Sequence, residues 1–120
     1  MECPFCNPGE VVIKNDLAYA IYDKYPVSPG HILIITHRHV ESYFDTLKEE
    51  REAIDSLVEK CKELIDGKHS PDGYNIGVNC GSTAGQTIFH VHVHLIPRYS
   101  GDMEDPRGGV RGVIPEKMKY

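Results

Sequence analysis

The sequence predicts an α+β protein built on an antiparallel sheet. Two observations carry that reading. Short apolar runs bounded by Gly, Pro, Asn and Asp lie on both sides of one stretch of helical periodicity, and the order strands, helix, strands suits such a fold. One run, His90-Val91-His92-Val93-His94-Leu95-Ile96, alternates imidazole and aliphatic side chains with a period of two. In a strand that alternation puts Val91, Val93 and Leu95 on one face and His90, His92 and His94 on the other. With 120 residues the chain has enough length for one domain and one core.

Taken in order, Cys3-Pro4-Phe5-Cys6 is a C-x-x-C, and Asn7-Pro8-Gly9 is turn chemistry. Residues 10–14 and 17–23 read as strands around the turn Asn15-Asp16. Residues 23–30 hold two prolines and a glycine and are irregular. Residues 31–36 form a strongly apolar strand. Thr46-Leu47-Lys48-Glu49 has capping-box spacing. Ile54, Leu57, Val58, Cys61, Leu64 and Ile65 then recur at helical intervals, and Gly67 is expected to end that helix. Cys61 lies on the stripe and reads as a core thiol. A turn at Asp72-Gly73 leads to a strand over 74–79. A loop of small residues, 81–86, enters the histidine strand. The core spans about 3–102. The segment 103–120 lacks periodicity and is expected to lie extended along a surface or a partner subunit.

A charged fraction of 26%, a hydrophobic fraction of 40% and a net charge of −5 describe a soluble domain with no basic footprint for nucleic acid. No apolar run approaches a membrane span, so no membrane partner is expected. Without an apolar leader, a cytoplasmic location is expected, where four cysteines suit thiols or metal ligands better than disulfides.

The histidine row admits three readings. It could be partly exposed strand histidines, a three-histidine metal site, or a reactive histidine with histidine neighbours. A row spanning roughly 13 Å, at about 3.3 Å per residue, is too long to meet one ion undistorted. The C-x-x-C is equally open between redox pair, half a zinc site and chance. Its position with no preceding strand argues against a thioredoxin-like site.

Taken together, these residues resemble a known family. His90 to Ile96 fits the histidine-triad (HIT) pattern of His-φ-His-φ-His-φ-φ. Ala84-Gly85-Gln86-Thr87 fits its entry and Pro97-Arg98 its exit. Pro29-Gly30-His31-Ile32-Leu33-Ile34 resembles its other signature strand. The entry and exit lean towards the branch that cleaves dinucleoside polyphosphates. The resemblance implies a HIT-like fold: a five-stranded antiparallel sheet, one main helix, a short N-terminal helix, and a homodimer that joins two sheets into a larger one. It also implies a nucleotide hydrolase or transferase that needs no catalytic metal or organic cofactor.

The implied nucleophile is His92, which would attack the α-phosphorus and form a covalent nucleotidyl-histidine. Imidazole is largely neutral at pH 7, so one nitrogen is free to attack while the other needs an acceptor for its proton. The family supplies a main-chain carbonyl near the first triad histidine. By the same resemblance His94, Gln86 and Thr87 are donors to the phosphate, and His31 joins their hydrogen-bond network. Asp23 stands where the family holds the ribose diol, and Asn79 where it meets ribose and phosphate. Phe5, Ile21 and Leu33 are candidates for the base slot. A turn-starting Asp23, a half-buried strand His31 and a purely core Phe5, Ile21 and Leu33 are the plainer readings. Arg98, Arg107 and Arg111 could meet further phosphates. Some relatives bind structural zinc, and the matching set here is Cys3, Cys6, His39 and His90. His37 points to the opposite strand face. A non-catalytic nucleotide-binding regulator is the alternative function, and a metal-binding protein the third.

Overall fold

The computed structural model describes residues 2–120. Strands β1 (Ile13–Lys14), β2 (Ala18–Tyr22), β3 (Ile32–Thr36), β4 (Gly73–Val78) and β5 (His92–Arg98) form one sheet in the order β1-β2-β3-β5-β4. All four pairings are antiparallel. One main helix, α1 (Lys48–His69), crosses the sheet between β3 and β4 in sequence. This is the five-stranded sheet with one main helix that the resemblance implied.

The pleat divides the molecule. Ile54, Leu57, Cys61 and Ile65 of α1 pack on Ala18, Ala20, Ile32, Ile34, Val93 and Leu95. The two alanines of β2 let the helix come close. Burial pushes the Cys61 thiol up to about 11, which suits an inert core position. The opposite face carries Phe5, Tyr19, Leu33 and Ile35. Farther along that face β5 presents His92, opposite Ile35, and His94, which lies between Leu33 of β3 and Gly77 of β4. The period-two pattern therefore sends the valines into the core and leaves His92 and His94 half-buried on the far face.

The structure corrects several boundaries. No N-terminal helix is present among the described residues. Residues 3–6 instead form a turn closed by the Cys6 amide on the Cys3 carbonyl at 3.1 Å, as a proline in so short a segment favours. Ladder pairing at the first strand covers only Ile13–Lys14. The helix starts one residue later than the capping-box spacing suggested: Glu50, not Glu49, takes the Leu47 amide at 2.8 Å. Gly67 does not stop it. The helix runs to His69 and ends at Ser70, which has φ 51°. Strand β5 begins at His92; His90 and Val91 enter through a bend, with the Val91 amide on the Val40 carbonyl at 2.8 Å. The C-terminal segment is not extended. It makes two 3-10 turns, Gly109–Val113 and Pro115–Lys117, folded against β4. No helix of the described residues is long and apolar enough to cross a membrane.

Candidate active site and metal centre

The hydrogen-bond partners fix the tautomers of His31, His90, His92 and His94. His92 Nδ1 lies 2.8 Å from the His90 carbonyl, which accepts only, so Nδ1 carries the proton and Nε2 keeps its lone pair. Phe5 stands edge-on to this ring at 4.9 Å between centroids. The turn that places Phe5 is held by Tyr19, whose hydroxyl donates to the Phe5 carbonyl.

A second row starts at the main chain. The Val27 amide donates to His31 Nδ1 at 3.0 Å. His31 must therefore carry its proton on Nε2, which donates to His94 Nδ1 at 3.0 Å, with Asp23 Oδ2 at 3.4 Å. His94 in turn keeps its proton on Nε2, as the free donor of the row. Burial first, and then the neighbouring His92 and His31, hold His94 down at about 4, so it is neutral at pH 7. Burial also lowers His31 against the opposing pull of Asp23. Asp23, Asn79, His31 and His94 line a cleft of about 580 Å³, within the range of small-molecule sites. Asp23 is a turn-former as well, since its Oδ1 accepts the Tyr25 amide at 2.9 Å. A second depression, of about 420 Å³, lies between the end of α1 and β4. Its Lys62, Asp66 and Tyr74 are paired with one another, and it holds no histidine.

Other expected residues take different places. Gln86 is buried, and its amide hydrogens go to the Glu41 and Ile88 carbonyls at 2.8 and 3.1 Å. Its carbonyl takes the Gly81 amide at 2.9 Å. It braces the loop and has no donor left for a phosphate. Thr87 is exposed and outside the cleft lining. Phe5 and Leu33 are core, and only Ile21 of the base-slot candidates keeps accessible surface. The sequence did not single out Val27, whose contribution is a main-chain N–H that every residue but proline has. Nor did it single out the C-terminal turn, whose Gly109, Val110, Gly112 and Val113 wall the cleft.

Beyond His92, Cys3, Cys6, His39 and His90 converge. Their four donor atoms lie within 4.8 Å of one another. Cys3 Sγ is 3.4 Å and Cys6 Sγ 3.6 Å from His90 Nδ1, and Cys6 Sγ is 3.1 Å from His39 Nδ1. A tetrahedral ion with ordinary Zn–N and Zn–S bonds separates such donors by about 3.5 Å. The His90 Nε2 donates to the Thr36 carbonyl at 2.7 Å, which leaves Nδ1 unprotonated towards the sulfurs. The donor set and the tautomer both fit zinc. His37 faces away and donates to the Asn15 carbonyl at 2.9 Å. The trio Asp23, His31 and His94 is also close, but the Val27 amide commits both His31 nitrogens and His94 Nδ1 to hydrogen bonds.

The sheet, the ordered His31–His94 pair and the carbonyl-held His92 imidazole together define a small α+β protein with a histidine-lined cleft. The chain belongs to the HIT domain family, which it matches over residues 5–101. It is 35% identical over 95 residues to the AP-4-A phosphorylase of Mycobacterium tuberculosis, covering 78% of this chain and 49% of that protein. It is 35% identical over 97 residues to the asymmetrical bis(5'-nucleosyl)-tetraphosphatase of Schizosaccharomyces pombe, covering 81% of this chain and 53% of that one. The chain thus spans about half the length of both relatives. A crystal structure of a zinc-bound histidine triad family protein from Mycobacterium smegmatis superposes with a TM-score of 0.78 at 28% identity, over 88% of this chain and 81% of that one.

Proposed function

We propose that the chain is a nucleotide hydrolase or transferase that works through a covalent nucleotidyl-histidine on His92. The observation that carries this is the His92 Nδ1 bond to the His90 carbonyl, which leaves Nε2 as a free nucleophile. Nε2 attacks the α-phosphorus and a P–N bond forms. The bond from phosphorus to the leaving oxygen or nitrogen breaks, and the leaving group departs with the electron pair. The developing imidazolium keeps its Nδ1 proton on the His90 carbonyl. His94 Nε2–H donates to a non-bridging phosphate oxygen as charge builds there. Asp23 accepts from the ribose hydroxyls and Asn79 borders the sugar and phosphate. Water then cleaves the P–N bond, releasing the mononucleotide and restoring His92. The names of the two relatives, a phosphorylase and a tetraphosphatase acting on dinucleoside polyphosphates, support a substrate of this general class.

Cys3, Cys6, His39 and His90 would hold a zinc ion, which supplies structure by neutralising two thiolates and pinning the N-terminal turn to the catalytic strand. The chain is further read as a homodimer: among the described residues β4 pairs with β5 alone, leaving its outer edge, with Ile76 exposed, open to a second sheet. The deciding experiment is His92→Ala. It is expected to lower turnover of adenosine phosphoramidate and of diadenosine tetraphosphate by about 10³-fold or more while leaving nucleotide binding in place. Mass spectrometry of quenched wild type should find the nucleotidyl group on His92. Near-normal turnover by the alanine variant overturns the assignment.

A further inference from the structure

The His31–His94 row takes its direction from one donor, the Val27 amide, which sits within the loop of residues 23–30. Pro26 and Pro29 have no N–H, so this loop ties itself down poorly through its own main chain. Within it, Asp23 Oδ1 takes the Tyr25 amide at 2.9 Å and the Ser28 carbonyl takes the His31 amide at 3.2 Å. The Tyr25 and Val27 side chains are 81% and 72% exposed, so side-chain packing does not place Val27.

The loop is held instead from the exit of β5. Strand β3 pairs with β5 as far as Ile32, opposite Leu95. Two residues on, the same register would set Gly30 against Pro97, but the chain turns away there with φ 90°. Pro97 is fully buried, so its carbonyl needs a partner from the protein. The Ser28 hydroxyl takes the place of the missing rung and donates to that carbonyl at 2.6 Å. The Tyr99 hydroxyl donates to the Pro29 carbonyl at 2.6 Å. Gly30 meets the end of α1 with no side chain between: a Cβ there would lie 3.0 Å from His69 Cδ2. Both hydroxyl bonds thus fall on the two residues that follow Val27.

We infer that Ser28 and Tyr99 are positioning residues for the reaction: they hold the loop so that the Val27 amide meets His31, and thereby keep His94 Nε2–H turned out as a donor to the phosphate. This rests on the nucleotidyl-histidine reading above. Once the Val27 amide swings off, His31 Nδ1 is free to carry the proton. His31 Nε2 then accepts, His94 donates from Nδ1, and His94 Nε2 meets the phosphate with a lone pair. Each ring has moved one proton from one nitrogen to the other, and the net charge is unchanged. The donor is lost where negative charge builds, so the cost falls on the transition state. His92 is held by a different bond, to the His90 carbonyl, and does not draw on this loop.

The test joins nitrogen-15 NMR of the imidazole rings to kinetics in Tyr99→Phe, Ser28→Ala and the double variant. Wild type should show Nε2–H tautomers at His31 and His94 and the Nδ1–H tautomer at His92. The double variant should show the reversed tautomer at His31 and His94 while His92 stays as it was. Its kcat for adenosine 5'-phosphoramidate should fall about tenfold, with KM within about twofold of wild type. Tyr99→Phe removes one oxygen from an exposed bond, so it reads the same shift at smaller amplitude even where loss of the buried Ser28 bond lowers the thermal midpoint. Wild-type tautomers in every variant, reversed tautomers with unchanged kcat, or an equal change at His92 each overturn the inference and leave the nucleotidyl-histidine reading standing. No turnover by wild type overturns that reading, and this inference falls with it.

Discussion

His94 is kept neutral by burial and by the two imidazoles beside it, with only Asp23 pulling the other way. The unfolded chain takes a proton on this residue near pH 6.5, whereas the folded chain resists until about 4. The sign follows: the unfolded state binds more protons between those values, so this contribution to stability is complete above pH 6.5 and is lost as pH falls towards 4. His31, lowered for the same first reason, acts in the same direction. Urea unfolding at pH 7.5, 6 and 5 should show stability falling with pH, and less steeply in His94→Gln. The carboxylate pairs do not mimic this, since Asp102, held at about 2 by Arg98, loses its share only at lower pH. Equal stability at pH 7.5 and 5 would contradict the account. At this scale the sequence named His31, His92, His94 and Asp23, because each is a residue type with its own chemistry. Its expectation for Gln86 was a phosphate, whereas the side-chain amide here meets two carbonyls, since an amide serves either equally well and only the fold decides which is near.

The helix carries its own keystone. Glu50 is 1% exposed, accepts Arg38 Nε and Nη2 at 3.0 and 2.7 Å, and takes the Leu47 amide at the helix start. Arg38 is half exposed and reaches water without its partner, whereas the carboxylate does not. Arg38→Ala should therefore cost more than Glu50→Gln, about 3 kcal/mol against about 1–2 kcal/mol, because it strands a buried charge. Chemical denaturation of the two variants measures the order, and the reverse order would refute it. The apolar stripe made α1 legible, since periodicity is set by burial. Its ends were less so. Gly67 is tolerated because the turn around it is tied down by Lys62 and Tyr74 on Asp66. The tail was illegible for a related reason: its order comes from Arg111, Met118 and Lys119 meeting main-chain and distant partners, which leaves no period in the residues.

Across the whole molecule, the Cys3, Cys6, His39 and His90 cluster links segments 87 residues apart in the chain. Protein purified without added metal is expected to carry about one zinc per chain, measured by elemental analysis. A chelator should lower the thermal midpoint by several degrees or more, because an ion bound only in the folded state stabilises it by mass action. Activity should fall with it, as the His90 carbonyl that orients His92 loses its anchor. A metal-free protein of unchanged midpoint would leave the cluster as four ordinary side chains. The cluster itself was readable from the sequence through the resemblance, but its tautomer was not, since that depends on the Thr36 carbonyl.

The row from Val27 through His31 to His94 runs one way. A peptide nitrogen gives and never takes, so every proton beyond it is committed, and the last one faces the cleft. Whatever settles there must offer a lone pair. An ionised phosphate oxygen does so, whereas an amide N–H turned inward in the same place would meet a donor head-on. At that point the cleft sorts by what a group holds out. The sorter is a backbone atom, indifferent to nineteen of the twenty side chains at position 27; only proline would leave the row without a direction.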